Sequence, residues 1–315
     1  MNRQAAPTST PVIAVPRVPA WATPRGPVQS DVDAAYMAGS ALNSLDNLAR
    51  SDAPWLGAWR QRLALKAAAA TVRLMRRTED ESALRDVWYL RQPGEEPGPA
   101  GNVLAAWREL AGRRLPPSAE DFRSIADRLG VRWSEAFADK IQPAGDAAHV
   151  PAPLLAAGAA TAIMQADPQA EALAWWVADL TLSWRLGWSP SVPILASQIH
   201  APALRTGPDR RRGRPGGPDF ALAVCVAAAS GAAEACQIAS GIAQKAQRLD
   251  AVKPKLRSRA AAEVIALLLS DDAVSGSFTS RATTRWASRR LFGRLRELGA
   301  VRELTGRPTF RLYGL

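Results

Sequence analysis

Between Asp31 and Leu249, apolar residues return every third or fourth position, and almost every such stretch stops at a proline or glycine. A chain written this way folds into helices packed face to face. No run in this region alternates polar and apolar residues as a half-buried strand would. Apolar residues make up 47% of the chain and aromatics only 6%, so much of the apolar content is alanine. Alanine loses no side-chain entropy in a helix, which strengthens the bias. Asp31 caps a stripe through Ala34, Met37, Ala38, Ala41, Leu42, Leu45 and Leu48. Pro54 opens a helix to about Arg77 that carries Trp55, Trp59, Leu63 and Ala67. Further helices are expected over Glu79–Leu90, Gly101–Gly112, Ser118–Leu129, Ser134–Lys140, Pro151–Ala166, Asp167–Leu186 and Asp219–Leu249. The tryptophans, Trp55, Trp59, Trp107, Trp175 and Trp184 among them, fall on apolar faces and are expected in the core with their N–H groups bonded locally.

The fold class expected is mainly α. A disordered Pro-rich tail (1–30) precedes a helical body (31–250), and a separate module (251–315) follows. The tail has six prolines and no acidic residue, and is expected to be dispensable for folding. No signal peptide is read there, because Pro11, Pro16, Arg17 and Pro19 break its apolar stretch. Phe220–Ala233, the longest nearly uncharged run, is shorter than the roughly 20 residues that cross a bilayer, so no membrane is expected. Cys225 and Cys236 lie on one helix, about 16 Å apart along its axis, too far for a disulfide. They fit a reducing cytoplasm.

The net charge of +11 is concentrated. The last 65 residues hold 13 Lys/Arg against 5 Asp/Glu, and Arg205–Pro215 adds five Arg against one Asp. The rest of the chain is close to neutral. A charge so confined implies a confined partner, most simply a phosphate backbone.

Within the last segment, Ser258–Ser270 reads as a first helix and Asp271–Gly276 as a turn. Ser277–Thr283 reads as a short second helix, and Arg285–Leu298 as a third, capped by Thr284 and ended by Gly299. Val301–Leu304 and Thr309–Tyr313 then make a hairpin around Arg307. That order is the order of a winged helix-turn-helix. On the third helix Ala287, Leu291, Leu295 and Leu298 gather on one side, flanked by Phe292, and Arg285, Arg289, Arg296, Trp286 and Gly293 on the other. The expected nucleic-acid contacts are Arg285, Arg289, Arg296 and Arg307, with Lys253, Lys255, Arg257 and Arg259 as a second line. Arg210, Arg211, Arg212 and Arg214 form a secondary basic loop.

Four stretches carry a resemblance. They are Gly57-Ala58-Trp59-Arg60-Gln61-Arg62-Leu63-Ala64-Leu65-Lys66-Ala67-Ala68-Ala69, Asp80-Glu81-Ser82-Ala83-Leu84-Arg85-Asp86, Pro97-Gly98-Pro99-Ala100-Gly101, and the ending from Gly299 to Leu315. They resemble the uncharacterised alphaproteobacterial family called domain of unknown function 1403, over nearly the whole chain after the tail. The resemblance implies a bacterial protein and adds weight to a DNA-binding C-terminus. It implies no activity, cofactor or catalytic residue.

No metal-ligand spacing, phosphate-binding glycine loop or nucleophile elbow occurs, so no cofactor, metal site or catalytic residue is expected. Two readings stand beside a DNA-binding regulator or replicon-associated factor on duplex DNA. One is an adaptor whose winged helix binds protein, with a homo-oligomer or protein partner. The other is an enzyme, since His200 followed by Gly207, Arg212, Gly213 and Arg214 resembles a degenerate Fic nucleotidyl-transferase loop. The Glu79, Asp80, Glu81, Arg85 and Asp86 cluster reads first as a structural salt-bridge network, second as acid–base chemistry.

Overall fold

The computed structural model describes residues 14–28, 30–92, 94–112, 117–141, 149–206, 211–256 and 259–315. Arg210 and Arg257, two of the expected contacts, lie outside the described residues. Among the described residues the chain is mainly helical: α1 (Asp31–Ala49), α2 (Leu56–Leu74), α3 (Glu81–Tyr89), α4 (Gly98–Gly112), α5 (Ala119–Arg128), α6 (Glu135–Ile141), α7 (Ala152–Ala166), α8 (Glu171–Arg185), α9 (Phe220–Val252), α10 (Arg259–Ser270) and α11 (Arg285–Glu297). Two small antiparallel sheets complete it. One pairs β1 (Arg205–Thr206) with β2 (Arg211–Arg212). The other joins β3 (Val274–Ser275), β4 (Arg302–Glu303) and β5 (Leu312–Gly314) in the order β3-β5-β4.

Side-chain caps open several of the helices, α1 on Ser30 and not on the expected Asp31. Ser30 accepts the Asp33 N–H at 3.2 Å, Asp80 accepts that of Ala83 at 2.8 Å, and Ser118 with Asp121 forms a reciprocal capping box. α9 runs through the centre, against α1, α7 and α2. Its small side chains let those neighbours approach closely. Tryptophans then tie helix to helix. Trp59 donates to the Ala235 carbonyl at 2.9 Å, Trp107 to the Thr71 hydroxyl at 3.0 Å, and Trp176 to the Ala106 carbonyl at 3.1 Å. Trp184 departs from expectation: it is partly exposed at the end of α8. Asp179, fully buried on α8, accepts the N–H groups of Ile194, Leu195 and Ala196 at 2.8–2.9 Å and so fixes the turn after Pro193. Burial raises its pKa to about 7 against the pull of those three donors.

Two expectations need correction. The long helix runs as expected, Phe220–Val252 against Asp219–Leu249, but by length and composition alone it could cross a membrane, contrary to the expectation that no segment could. Two thirds of that window is buried against the other helices, as in the central helix of a bundle. The tail is also not wholly extended into solvent. Ala22 is buried, Val15, Val18 and Val28 pack on the core, and Trp21 stacks on Tyr36 with ring centroids 5.4 Å apart. The apolar core runs without a break across residue 250, from α9 into α10, α11 and Tyr313.

Truncation up to Val28 should therefore lower the melting temperature by roughly 2–5 °C, the effect of losing about 1–2 kcal/mol of apolar burial in a chain of this size. An unchanged thermal melt would restore the view of a dispensable tail.

Candidate functional site

The C-terminal elements are set in place by two consecutive aspartates at the end of α10. Asp272 lies fully buried between Arg62 of α2 and Arg85 of α3, with the Arg85 Nε 2.6 Å from its Oδ2. Arg62 also reaches the Asp272 and Leu315 carbonyls, at 3.4 and 3.5 Å. Asp271 accepts two bonds from Arg108 of α4, at 2.8 and 3.0 Å, and one from the Tyr89 hydroxyl. Burial alone would raise the Asp272 pKa, but the two guanidiniums outweigh it and hold the carboxyl below its ordinary range. Backbones meet closely at this junction. A Cβ on Gly57 would stand 2.8 Å from the Ser270 Cα, and one on Gly314 2.5 Å from the Asp272 carbonyl oxygen, so neither position admits a side chain without a shift.

Beyond the junction, Ser277–Thr283 is not the short helix expected. It is an irregular loop in which polar side chains bind groups that helix formation would have left free. The Ser275 and Ser277 hydroxyls bond at 3.1 Å, Glu263 accepts the hydroxyls of Ser280 and Thr283, and Ser288 donates to the Phe278 carbonyl. α11 begins as expected, with the Thr284 hydroxyl accepting the Ala287 N–H at 3.3 Å. It ends at Gly299, with φ +66° and the Ala300 N–H returning to the Leu295 carbonyl at 2.9 Å. Its buried face is rotated from the expected one. Ser288, Phe292 and Leu295 point inward, Ala287 and Leu291 are half-buried, and Leu298 is exposed. The rotation follows from Phe292, whose ring stacks on Tyr313 of β5 with centroids 4.6 Å apart.

Between α11 and the β4–β5 hairpin lies a groove of about 450 Å³. Arg285, Arg289, Gly293 and Arg296 form one wall, and Pro308, Thr309, Phe310 and Arg311 the other. Gly276, Ser277 and Tyr313 complete the lining. Glu303 sits between the walls, 3.5 Å from Arg296 and 3.7 Å from Arg311, and so links helix to hairpin while leaving an excess of positive charge. Trp286, 73% exposed, stands on the outer side of the helix, with the Arg289 guanidinium 5.7 Å from its ring centroid. Arg290 and Arg294 are exposed there too.

Two residues of this groove cost stability that nothing inside the protein returns. Gly293 costs a helix about 1 kcal/mol relative to alanine, yet beyond its chain neighbours and its own helix backbone no heavy atom of the described residues lies within 4 Å of where its Cβ would be. Phe310 holds a left-handed φ of +53°, which costs a bulky residue about 1–3 kcal/mol, yet its ring is 69% exposed.

The structure brings Arg285, Arg289 and Arg296 together in this groove. Arg307 is not a free tip as expected: it folds back to ion-pair with Asp86 of α3, pinning the hairpin to the body. Lys253, Lys255 and Arg259 are exposed but outside the groove lining, Arg259 one turn before Glu263 on α10. Arg311 escapes sequence reasoning because only the paired hairpin turns it toward α11. The exposure of Arg290 and Arg294 is readable once the inward face is centred on Phe292. The secondary basic loop is engaged within the fold. Arg212 and Arg214 both bind Glu171, at 2.6 and 3.2 Å, and the exposed Arg211 sits in β2.

The carboxylates near α3 are engaged too. Glu79 pairs with Arg77, Glu81 with Lys66 and Arg85, Asp86 with Arg307, and Asp80 caps the helix. His200 bonds the Ala70 carbonyl at 3.0 Å, and burial lowers its pKa. Both cysteines are buried free thiols, raised to about 11 by burial. Among the described residues no cluster of His, Cys, Asp and Glu could hold a metal ion.

Fold and site together define a mainly α protein that presents an arginine-walled groove on a C-terminal helix and hairpin. The chain belongs to the family described as Protein of unknown function (DUF1403), which matches residues 6–315. No curated protein and no solved structure matches it.

Replacing Asp272 by Ala should cost about 3–5 kcal/mol, because it leaves two guanidiniums facing each other without their carboxylate. Urea denaturation measures this directly. With its folded pKa below the unfolded value of about 3.9, Asp272 contributes stability above that pH and loses it as pH falls through the folded pKa. The wild type should therefore lose more stability on acidification below pH ~4 than Asp272→Ala does.

Proposed function

We propose that this protein binds duplex DNA through the groove between α11 and the β4–β5 hairpin, with α11 as the element that enters the major groove. The observation that carries the reading is the baring of helix backbone at Gly293, between Arg289 and Arg296, with open space above it. Gly39, Gly158 and Gly241 leave similar open space on α1, α7 and α9, but Gly293 is the one of these that lies between exposed arginines in a groove, and that combination supports close approach of a phosphate backbone. The order helix, strand, helix, strand, strand, with the last strand in the middle of the sheet, supports a winged-helix relationship in which a loop replaces the second helix. In this reading Arg285, Arg289, Arg290 and Arg294 contact phosphates or guanine edges, Trp286 meets a thymine methyl, and the body holds the module in place. A cytoplasmic regulator or replicon-associated factor is the role this implies.

The exposed Trp286 favours a second reading, an adaptor face for a protein partner, since aromatics and arginine also mark the cores of protein interfaces. Salt separates the two. About six phosphate contacts would make log K fall against log salt with a slope of about −5, whereas an aromatic protein contact responds weakly. The measurement is fluorescence anisotropy of labelled duplex with the full chain, because the core is shared across the body and the C-terminal elements. Arg289→Ala should weaken binding by about 1–3 kcal/mol if it reads a base. Gly293→Ala should raise stability by about 0.5–1 kcal/mol yet weaken binding, which a purely structural glycine would not do. Folded wild-type protein that shows no salt-dependent binding to any duplex at low ionic strength overturns the DNA reading in favour of the adaptor.

A further inference from the structure

The hairpin tip presents one aromatic ring in a frame built to keep it there. Phe310 is 69% exposed at φ +53°, a backbone conformation that aromatic residues avoid. The segments on either side are held. The Arg311 guanidinium donates to the Arg307 carbonyl at 3.1 Å, the Leu312 N–H to the Thr305 hydroxyl at 3.3 Å, and the Leu304 N–H to the Leu312 carbonyl at 2.8 Å. Arg307 is clipped to Asp86 of the body, so the tip is anchored from outside the hairpin as well. The backbone that carries the ring is thus held on both sides, and little backbone ordering entropy remains to be lost when it meets a partner. Around it the groove offers cations: Arg311 beside it, and Arg285 and Arg289 across from it. A flat apolar ring set among guanidiniums matches one chemistry well, a nucleobase π face between two phosphates.

Resting on the DNA reading above, we infer that Phe310 is a wedge that enters between two stacked base pairs, so that the protein kinks the duplex it binds. Wedge residues of this kind unstack a single base step and bend the helix axis, and they favour steps that separate easily, such as TA and CA. The partner class is therefore duplex DNA with a deformable pyrimidine–purine step beside the segment held by α11. The strain at Phe310 then has a use. A glycine or asparagine would suit the backbone, but neither brings a ring.

The test uses the full-length protein and a 30-base-pair duplex carrying a central TA step, with a fluorescence-transfer dye at each end and 2-aminopurine beside the step in a parallel sample. Binding by anisotropy and bending by energy transfer are read on the same mixture. For the wild type, transfer should rise on binding and 2-aminopurine should brighten several-fold. Read at protein concentrations that saturate the duplex, Phe310→Gly should lose the rise in transfer and leave 2-aminopurine dark. Its melting temperature should be unchanged or higher, because glycine adopts φ +53° freely. Phe310→Leu should recover some of the bend. Wild-type binding without bending, or undiminished bending by Phe310→Gly, overturns the wedge and leaves the DNA reading standing. A fall in the melting temperature of Phe310→Gly makes the ring a packing residue and also overturns it. Wild type that does not bind the duplex at all overturns both.

Discussion

Asp272 is a carboxylate with almost no access to water, held between two guanidiniums from different helices of the body. Bringing all three charges out of water is costly, and the arrangement is tolerable only because each partner satisfies the others. It follows α10 directly, so the position of α10, and through it of β3, α11 and the hairpin, depends on where α2 and α3 place Arg62 and Arg85. Asp271 repeats the device at the preceding residue with Arg108 and Tyr89. Asp86 and Arg307 repeat it at the hairpin tip. Three acid–base contacts at separate points resist rotation of the C-terminal elements far better than one would. Such contacts contribute more to uniqueness of arrangement than to net stability, which comes from the apolar core beneath them.

The groove has the opposite character. The junction groups are paired and buried, whereas the groove keeps arginines exposed, opens a gap above Gly293 and displays Phe310, with Trp286 exposed on the outer side of the same helix. Local rules of stability are broken twice within a groove that concentrates positive charge. Single departures of the same kind occur elsewhere, at Arg76 with its positive φ and at Gly39, Gly158 and Gly241 inside helices, but in the groove two of them fall together among exposed arginines. Glu303 tempers the charge between the two walls without cancelling it, and it sets the hairpin at a fixed distance from the helix.

The two basic regions of the chain differ in kind. Arg212 and Arg214 surround the buried Glu171 at the start of α8, so some of the charge of the middle loop serves to hold the fold. Near α3, an acidic cluster that could have served acid–base chemistry commits its carboxylates to Arg77, Lys66, Arg85 and Arg307, and to the helix cap. Charge density along a chain marks regions of interest, but whether a charge faces solvent or a partner residue is decided by what the fold brings opposite it.

What the sequence determined by itself was local. The helices follow from residues three and four apart, the caps at Ser118 and Thr284 from a side chain and an N–H three residues on, and the end of α11 from Gly299, whereas α1 is capped one residue earlier than expected, by Ser30. The helix–hairpin order of the last segment and its charge are legible in the same way, and with them Arg285, Arg289 and Arg296. Tertiary structure decided what depends on distant partners. Ser277–Thr283 has the local pattern of a helix, but its hydroxyl groups find Glu263 and one another once α10 is in place. Arg307 looks like a free tip because Asp86 lies 221 positions away along the chain. Arg311 joined the groove only when β5 paired between β3 and β4 and turned it toward α11. The Asp271 and Asp272 knots left no mark at all in the sequence. Two adjacent aspartates look like a turn until helices from the other end of the chain bring four cationic and phenolic groups to meet them, because the pairing is made by packing and not by spacing.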